Sequence, residues 1–297
     1  MPAPVKKVAV IGLGIMGGAI SRNLIAAGFT VSGFDPDRAR ADTASSFGVA
    51  ANGSAAEAAA DADLVLTSLP STEALDRTVD ALLAAPRSGV IVAEISTFPI
   101  EAKQRAHDRL AAAGIVMLDC PLSGTGAQAV TRDLALYGSG DEAAFARCRD
   151  PFAGFARASH YLGAFGNGSR MKFVANLLVA VHNVAAAEAI VLGAKAGLDP
   201  DRILDVIQSG AGNSRIFELR GPMMAKGVYT PPTATMHVLQ KDSAIIAEFA
   251  GGLGVDTPML NAAAPLYDEA EAQGHAEEDV AAVHAVLARR AGLTPRK

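Results

Sequence analysis

Residues 8–17 read Val8-Ala9-Val10-Ile11-Gly12-Leu13-Gly14-Ile15-Met16-Gly17, and this stretch decides the fold. Val8 to Ile11 is a continuous apolar run rich in β-branched residues, the pattern of a parallel strand buried on both faces. The glycines follow at once, and a helical segment runs on through Leu24 to Ala27. Strand, glycine turn and helix in that order are the context in which a GxGxxG pattern carries weight. Gly12 makes the tight turn, Gly14 lets the backbone approach a diphosphate, and Gly17 permits close helix–strand packing. The diphosphate then rests on the helix N-terminus. The next strand, Thr30 to Phe34, ends at Asp35, about 20 residues beyond the glycines. A carboxylate there accepts hydrogen bonds from the adenosine ribose diol and repels a 2′-phosphate, so the sequence predicts NAD in preference to NADP. Arg38 is the local cation that would soften this preference, but at a helix start it is expected to be solvated.

Further strands and helical segments alternate, as a doubly wound sheet requires. Leu64 to Leu69 reads as a strand ending at Pro70, and Val90 to Ile95 as one ending at Ser96-Thr97-Phe98-Pro99. Ile115 to Leu118 ends at Asp119-Cys120-Pro121. Ligands of open α/β sheets sit beyond the carboxyl ends of strands, so Leu69-Pro70, Ser96-Thr97 and Ser123 are expected at one edge. Ser71 and Thr72 read as helix caps, and Thr97 also has that reading. The small-residue loop from Pro121 to Ala127 is suited to holding a carboxylate on its N–H groups and the Ser123 hydroxyl, with a plain turn as the alternative. No Gly-x-Ser-x-Gly elbow surrounds Ser123, which argues against a nucleophile. Leu134 to Tyr137, a helix from Glu142, and Ser159 to Leu162 complete a first domain over residues 1–164.

The run from Gly166 to Leu198 contains no proline and is mostly Ala, Leu, Val and Ile, which predicts one long helix, apolar nearly all round and therefore buried. It has the length of a membrane span. Lys172, Asn176, His182, Asn183 and Glu188 recur within it, each costly in hydrocarbon, so a helix between two domains is expected instead. Lys172 and Asn176 are four apart and share a face near the helix start, where the macrodipole makes the potential positive. Such a potential draws anions and eases loss of a proton from an ammonium; a lysine that merely reaches for solvent is the alternative. Helical segments continue at Asp201 to Ser209, Ile216 to Met224, Met236 to Leu253, Met259 to Gln273 and Ala276 to Ala291. Caps and breakers part them. The second domain, residues 165–297, is expected to be all-helical. The fold class is therefore α/β: a Rossmann-type doubly wound sheet, then a helical domain, joined by a long interdomain helix.

The 297 residues are 50% hydrophobic and 19% charged, enough for a large core and too apolar for disorder. A formal charge of −5 and the lack of a dense basic cluster give no support to nucleic-acid binding. Cys120 and Cys148 form no disulfide framework and are expected as free thiols. Lys6-Lys7 before an apolar run resembles a signal peptide, but glycines interrupt that run and Ser21-Arg22-Asn23 follows, so a cytoplasmic protein without a membrane partner is expected. The six histidines show no metal-ligand spacing, and no metal is expected.

Four signatures occur together in order: Gly12-Leu13-Gly14-Ile15-Met16-Gly17, Asp119-Cys120-Pro121-Leu122-Ser123-Gly124, Gly166-x-Gly168-x-x-x-Lys172-x-x-x-Asn176, and Lys241-Asp242. In these the chain resembles the β-hydroxyacid dehydrogenases, the group of 3-hydroxyisobutyrate dehydrogenase, tartronate semialdehyde reductase and the smaller relatives of 6-phosphogluconate dehydrogenase. The resemblance implies a Rossmann domain plus a helical domain that often forms the dimer interface, hence a homodimer or homotetramer. It implies Lys172 as the catalytic lysine, Asn176 as its hydrogen-bonding partner at the substrate, and Ser123 and Gly124 as the loop holding the substrate carboxylate. Ser123 thus joins Lys172 and Asn176 in the catalytic set, and Thr125 joins the substrate loop. Lys241 and Thr97 would reach the cofactor, with Leu69-Pro70 and the glycine loop.

The implied reaction moves a hydride between NAD and the alcohol of a small β-hydroxy carboxylic acid, with Lys172 as general acid or base. Two departures bear on the substrate. Thr125 stands where the family usually has a second glycine, and Ala175 where it often has Asn. An imine reductase is the rival within the class, and a non-catalytic dinucleotide-binding protein the rival outside it; both kinds of relative generally lack the lysine.

Overall fold

The computed structural model describes residues 4–293. The chain divides into two compact units between Lys172 and Phe173.

The first unit opens with β1 (Lys7–Ile11), α1 (Ile15–Ala26), β2 (Thr30–Phe34), α2 (Arg38–Ser45), β3 (Ala50–Ala51) and α3 (Ala55–Ala59). It continues through β4 (Leu64–Thr67), α4 (Thr72–Ala84), β5 (Ile91–Glu94), α5 (Ile100–Ala112) and β6 (Val116–Asp119). These strands form one parallel six-stranded sheet in the order β3-β2-β1-β4-β5-β6. Alternate residues of β1 serve opposite faces: Val8 and Val10 enter one buried cluster, Ala9 and Ile11 another. Helices cover both faces, which is why the strand is apolar without interruption. Ser71 caps α4 by accepting the Ala74 N–H at 3.2 Å, whereas Thr72 is the first helical residue. Thr97 is no cap either, since Pro99 occupies that place before α5.

After β6 come β7 (Leu122–Ser123), α6 (Gly126–Val130), β8 (Ala135–Gly138), α7 (Glu142–Arg147), α8 (Arg149–Phe155) and β9 (Ala158–Tyr161). Here β7, β8 and β9 form a separate three-stranded sheet, with β7 antiparallel and β9 parallel to β8. The stretch read as a loop from Pro121 to Ala127 thus contains a short strand and the start of α6.

The long helix α9 spans Asn167–Lys195, and Gly197 beyond it takes φ +87°. Burial all round does not hold for the single chain. Met171, Val174, Leu178 and Leu192 are exposed, because a helix apolar on every face carries no signal for which face is covered. By length and composition it meets the requirement for a membrane span, with 39% of its most apolar window buried. Asn183, fully buried within it, donates to the Val280 carbonyl at 2.9 Å and the Tyr267 hydroxyl at 3.1 Å.

The second unit continues with α10 (Pro200–Gln208), α11 (Arg215–Lys226), α12 (Met236–Gly252), α13 (Pro258–Ala270) and α14 (Val283–Arg290). Two predicted helices are shorter than expected. A π turn over Glu271–His275 follows α13, with Gly274 at φ +97°. The expected helix from Ala276 begins only at Val283, after a 3-10 turn Val280–Ala282 capped by Asp279. Asp279 also makes an isolated bridge with Thr235. It faces no water, and its carboxylate accepts from the N–H and hydroxyl of Thr233, the N–H groups of Ala234 and Ala281, and Arg220 Nε. A chain segment so anchored cannot continue the helix.

Candidate active site

Phe34, Ile11, Thr67, Glu94 and Asp119 are register partners across the sheet and mark the carboxyl ends of five adjacent strands. The glycine loop, Asp35, Leu69, Ser96 and Cys120 leave from this row. Gly12 takes φ +92°, and a Cβ there would lie 2.1 Å from the Ser68 carbonyl oxygen. A Cβ on Gly17 would lie 1.8 Å from the Gly12 carbonyl oxygen, so helix and turn touch as the pattern demands. At Gly14, among the described residues, only the Arg40 guanidinium comes within 4 Å of that position. Among the described residues no side chain caps α1 and no acidic residue sits in its first turn, and Ile15 is 82% exposed. The residues present therefore fit a dinucleotide diphosphate: an open, uncapped helix N-terminus that an anion can approach.

Asp35 is buried at the end of β2. Its Oδ2 accepts the Leu13 N–H at 2.8 Å and its Oδ1 the Asp37 N–H at 2.9 Å, so the carboxylate shapes the glycine loop itself. The neighbouring cation is Arg40 rather than Arg38. Arg40 approaches Asp35 at 3.9 Å and Asp37 at 3.3 Å, while Arg38 is 93% exposed and pairs with Asp42. Sequence spacing hid Arg40 because its side chain runs back along the first turn of α2.

The Leu69 N–H donates to Ser96 Oγ at 2.8 Å, which ties the Leu69-Pro70 and Ser96-Thr97 loops together. Ser123 is half-buried at the end of β7, and Gly124 follows with φ +134°. Thr125 is the N-cap of α6 and forms a capping box with Gln128, whose Oε1 accepts the Thr125 N–H at 3.0 Å. A threonine in this place is thus also a helix cap.

Lys172 is 8% exposed and Asn176, one turn on, 7%. Asn176 Nδ2 donates to Asp242 Oδ2 at 2.7 Å, and the other oxygen of Asp242 pairs with Lys241 at 3.2 Å. Asp242 is 6% exposed, so the second half of the Lys241-Asp242 pair is the one that holds Asn176. The sequence named Asp242 in the Lys241-Asp242 signature but gave it no role, although an acid inside the buried stripe of α12 beside Ser243 and Ile246 was a signal. Glu94 and Lys103 went unremarked and Asp119 was named without a role, yet all three have no exposed surface. Burial pushes the Glu94 carboxyl above its ordinary value, even with Lys103 beside it.

Residues 7–163 match the NAD binding domain of 6-phosphogluconate dehydrogenase, and residues 166–287 the NAD-binding domain of NADP-dependent 3-hydroxyisobutyrate dehydrogenase. L-threonate dehydrogenase of Cupriavidus necator is 36% identical over 94% of this chain and 95% of its own length. A probable 3-hydroxyisobutyrate dehydrogenase of Mycobacterium bovis is 33% identical over 96% of this chain and 98% of its own. Among solved structures, the 3-hydroxyisobutyrate dehydrogenase of Mycobacterium tuberculosis with L-serine superposes with a TM-score of 0.86 at 33% identity, covering 95% of this chain and 99% of the other. Since both halves are matched in order and the relatives run nearly end to end, the chain belongs to the β-hydroxyacid dehydrogenase family and is an NAD(P)-dependent oxidoreductase.

Proposed function

We propose that this dehydrogenase oxidises the alcohol of a small hydroxy acid with Lys172 as general base, runs in reverse with the same lysine as acid, and prefers NAD to NADP. The observation that carries the reading is a lysine only 8% exposed on the second turn of a 29-residue helix, with Asn176 one turn further on. Bound NAD(P) supplies the hydride acceptor. Lys172 Nζ takes the hydroxyl proton as the alcohol carbon gives up its hydride, and in reduction the ammonium returns that proton to the developing alkoxide. A free lysine has a pKa of about 10.4 and must fall toward ~7–8 to serve as base. Burial and the positive end of α9 both favour the neutral amine. Asn176, its amide fixed by Asp242, orients the substrate without adding charge. Ser123, Gly124 and Thr125 hold the substrate carboxylate, and the cofactor contacts are the glycine loop, Asp35, Leu69, Pro70, Thr97 and Lys241.

Thr125 supports a substrate with a further polar group, other than 3-hydroxyisobutyrate. L-threonate, the acid named for the Cupriavidus relative, carries such hydroxyls. Asp35 supports NAD, and Arg40 beside it moderates the repulsion of a 2′-phosphate. Met171, Val174 and Leu178 form an exposed apolar stripe on α9, which supports a homodimer or homotetramer built through the helical domain, residues 165–297. A monomeric mass by light scattering at micromolar concentration would contradict that assembly.

The test is Lys172→Ala, assayed by nicotinamide absorbance with a panel of short hydroxy acids and both cofactors. The variant should fold and bind NAD, because the glycine loop and Asp35 are untouched. Its kcat should fall by about 10²–10⁴. The rise of wild-type oxidation with pH should vanish, and Lys172→Arg should not rescue it, since a guanidinium stays protonated. Near-normal turnover of Lys172→Ala would end the mechanism.

A further inference from the structure

Beneath the start of α9 lies a buried ionic cluster that the reaction itself does not use. Glu94 and Asp119 end β5 and β6 and are register partners, so their carboxylates lie side by side. Between them Lys103, from α5, places its ammonium 2.6 Å from Glu94 Oε2, 2.8 Å from Asp119 Oδ1 and 2.7 Å from the Ser96 carbonyl. Three oxygens thus surround the ammonium, two of them accepting hydrogen bonds from it. Burial alone opposes a charge here, yet Asp119 and Glu94 hold the Lys103 pKa above the ordinary lysine value. A buried ammonium without such partners costs several kcal/mol.

The cluster reaches outward in two directions. Glu94 Oε1 accepts the Ser96 N–H at 2.8 Å, and Ser96 Oγ in turn accepts the Leu69 N–H at 2.8 Å. On the other side Asp119 Oδ2 accepts the Ser169 N–H at 2.7 Å, and Asp119 Oδ1 the Ser169 hydroxyl at 2.8 Å. Ser139 Oγ accepts the Gly168 N–H at 2.9 Å and lies 3.3 Å from Asp119 Oδ2. Asp119 thus caps the long helix from another strand. Gly168 allows the close approach, since a Cβ there would lie 2.7 Å from the Asp119 carbonyl oxygen. The positive end of α9, through the Ser169 N–H, faces the Asp119 carboxylate directly. Lys172 follows Ser169 by three residues, within the same turn of helix.

We infer that Lys103 is a positioning residue: through Asp119 it sets the first turn of the helix that carries Lys172, and through Glu94 and Ser96 it sets the Leu69 loop. This rests on the reading of Lys172 as general acid–base. A misplacement of about 1 Å at a reacting group can cost on the order of 10²-fold in rate, which is what loss of the anchor would bring.

The experiment compares wild type, Ser169→Ala, and the double variant Lys103→Met with Glu94→Gln, which keeps one buried negative charge as in wild type. Lys172→Ala runs alongside. Each is measured for melting temperature, for kcat at saturating cofactor and substrate, and for the pH profile of kcat. The double variant should lose about 10- to 100-fold in kcat, and the limb along which its oxidation rate rises with pH should shift along the pH axis. Ser169→Ala should move both readouts in the same direction by less, and it decides the matter alone if the double variant does not fold. Lower melting temperatures with wild-type kcat and an unmoved limb would make Lys103 merely structural and overturn the inference. If Lys172→Ala is inactive while the others are normal, only the positioning role falls. An active Lys172→Ala sinks the acid–base reading, and the positioning role with it.

Discussion

Asp279→Asn is expected to loosen the helical unit, and the size of the effect follows from the bonds at that carboxylate. Oδ2 accepts from the Thr233 N–H at 2.7 Å, the Thr233 hydroxyl at 2.6 Å and the Ala234 N–H at 3.2 Å. Oδ1 accepts from Arg220 Nε at 3.2 Å and the Ala281 N–H at 2.9 Å. An asparagine keeps one oxygen. In its better orientation the new amide group faces the Arg220 and Ala281 donors, and the ion pair is lost. Breaking one side of a buried pair costs about 3–5 kcal/mol. If the helical unit unfolds by itself, that corresponds to a fall of about 10–20 °C in its calorimetric transition. The pH dependence has a definite sign. Burial opposes the charge on Asp279, but Arg220 and the Thr233 bonds outweigh it and hold the folded carboxyl below its ordinary value. Such a group contributes stability that is complete above its unfolded pKa of about 3.9 and is lost as pH falls through the folded value. Wild type should therefore lose stability below about pH 4, and the variant should lack this share of the decline. A calorimetric transition within about 2 °C of wild type, with the same acid limb, would refute the reasoning. Because Asp279 bridges Thr235 at the start of α12, the variant should also weaken the setting of Asp242 and Asn176.

Two further substitutions address the site. Asp242→Ala removes the acceptor of Asn176 and should lower kcat about tenfold, the worth of a charged hydrogen bond; steady-state kinetics showing a fall as deep as that of Lys172→Ala would mean Asp242 does more than orient. Arg40→Gln should reduce kcat/KM for NADP by about two- to fivefold, as befits a half-exposed charge, and leave NAD little changed. A rise with NADP would show that Arg40 excludes the 2′-phosphate.

The sequence by itself determined the elements whose signal is local. An uninterrupted apolar strand, glycines at fixed offsets and an acid after the second strand specify a Rossmann unit, because each answers to backbone sterics or period within about 20 residues. The shared face of Lys172 and Asn176 was legible for the same reason: one helix sets their spacing. Only the tertiary structure separated β7, β8 and β9 into their own sheet, broke the expected helix at Ala276, and put Arg40 rather than Arg38 beside Asp35. It alone paired Ser169 with Asp119 across 50 residues and Asn176 with Asp242 across 66. Glu94 and Asp119 each stood in plain view as a charge within an apolar stretch, and Lys103 as one charge among several on α5, but a lone buried charge does not name its partner. The partner is chosen by which strand ends and helix starts the packed core brings within hydrogen-bond reach, and no local periodicity carries that information.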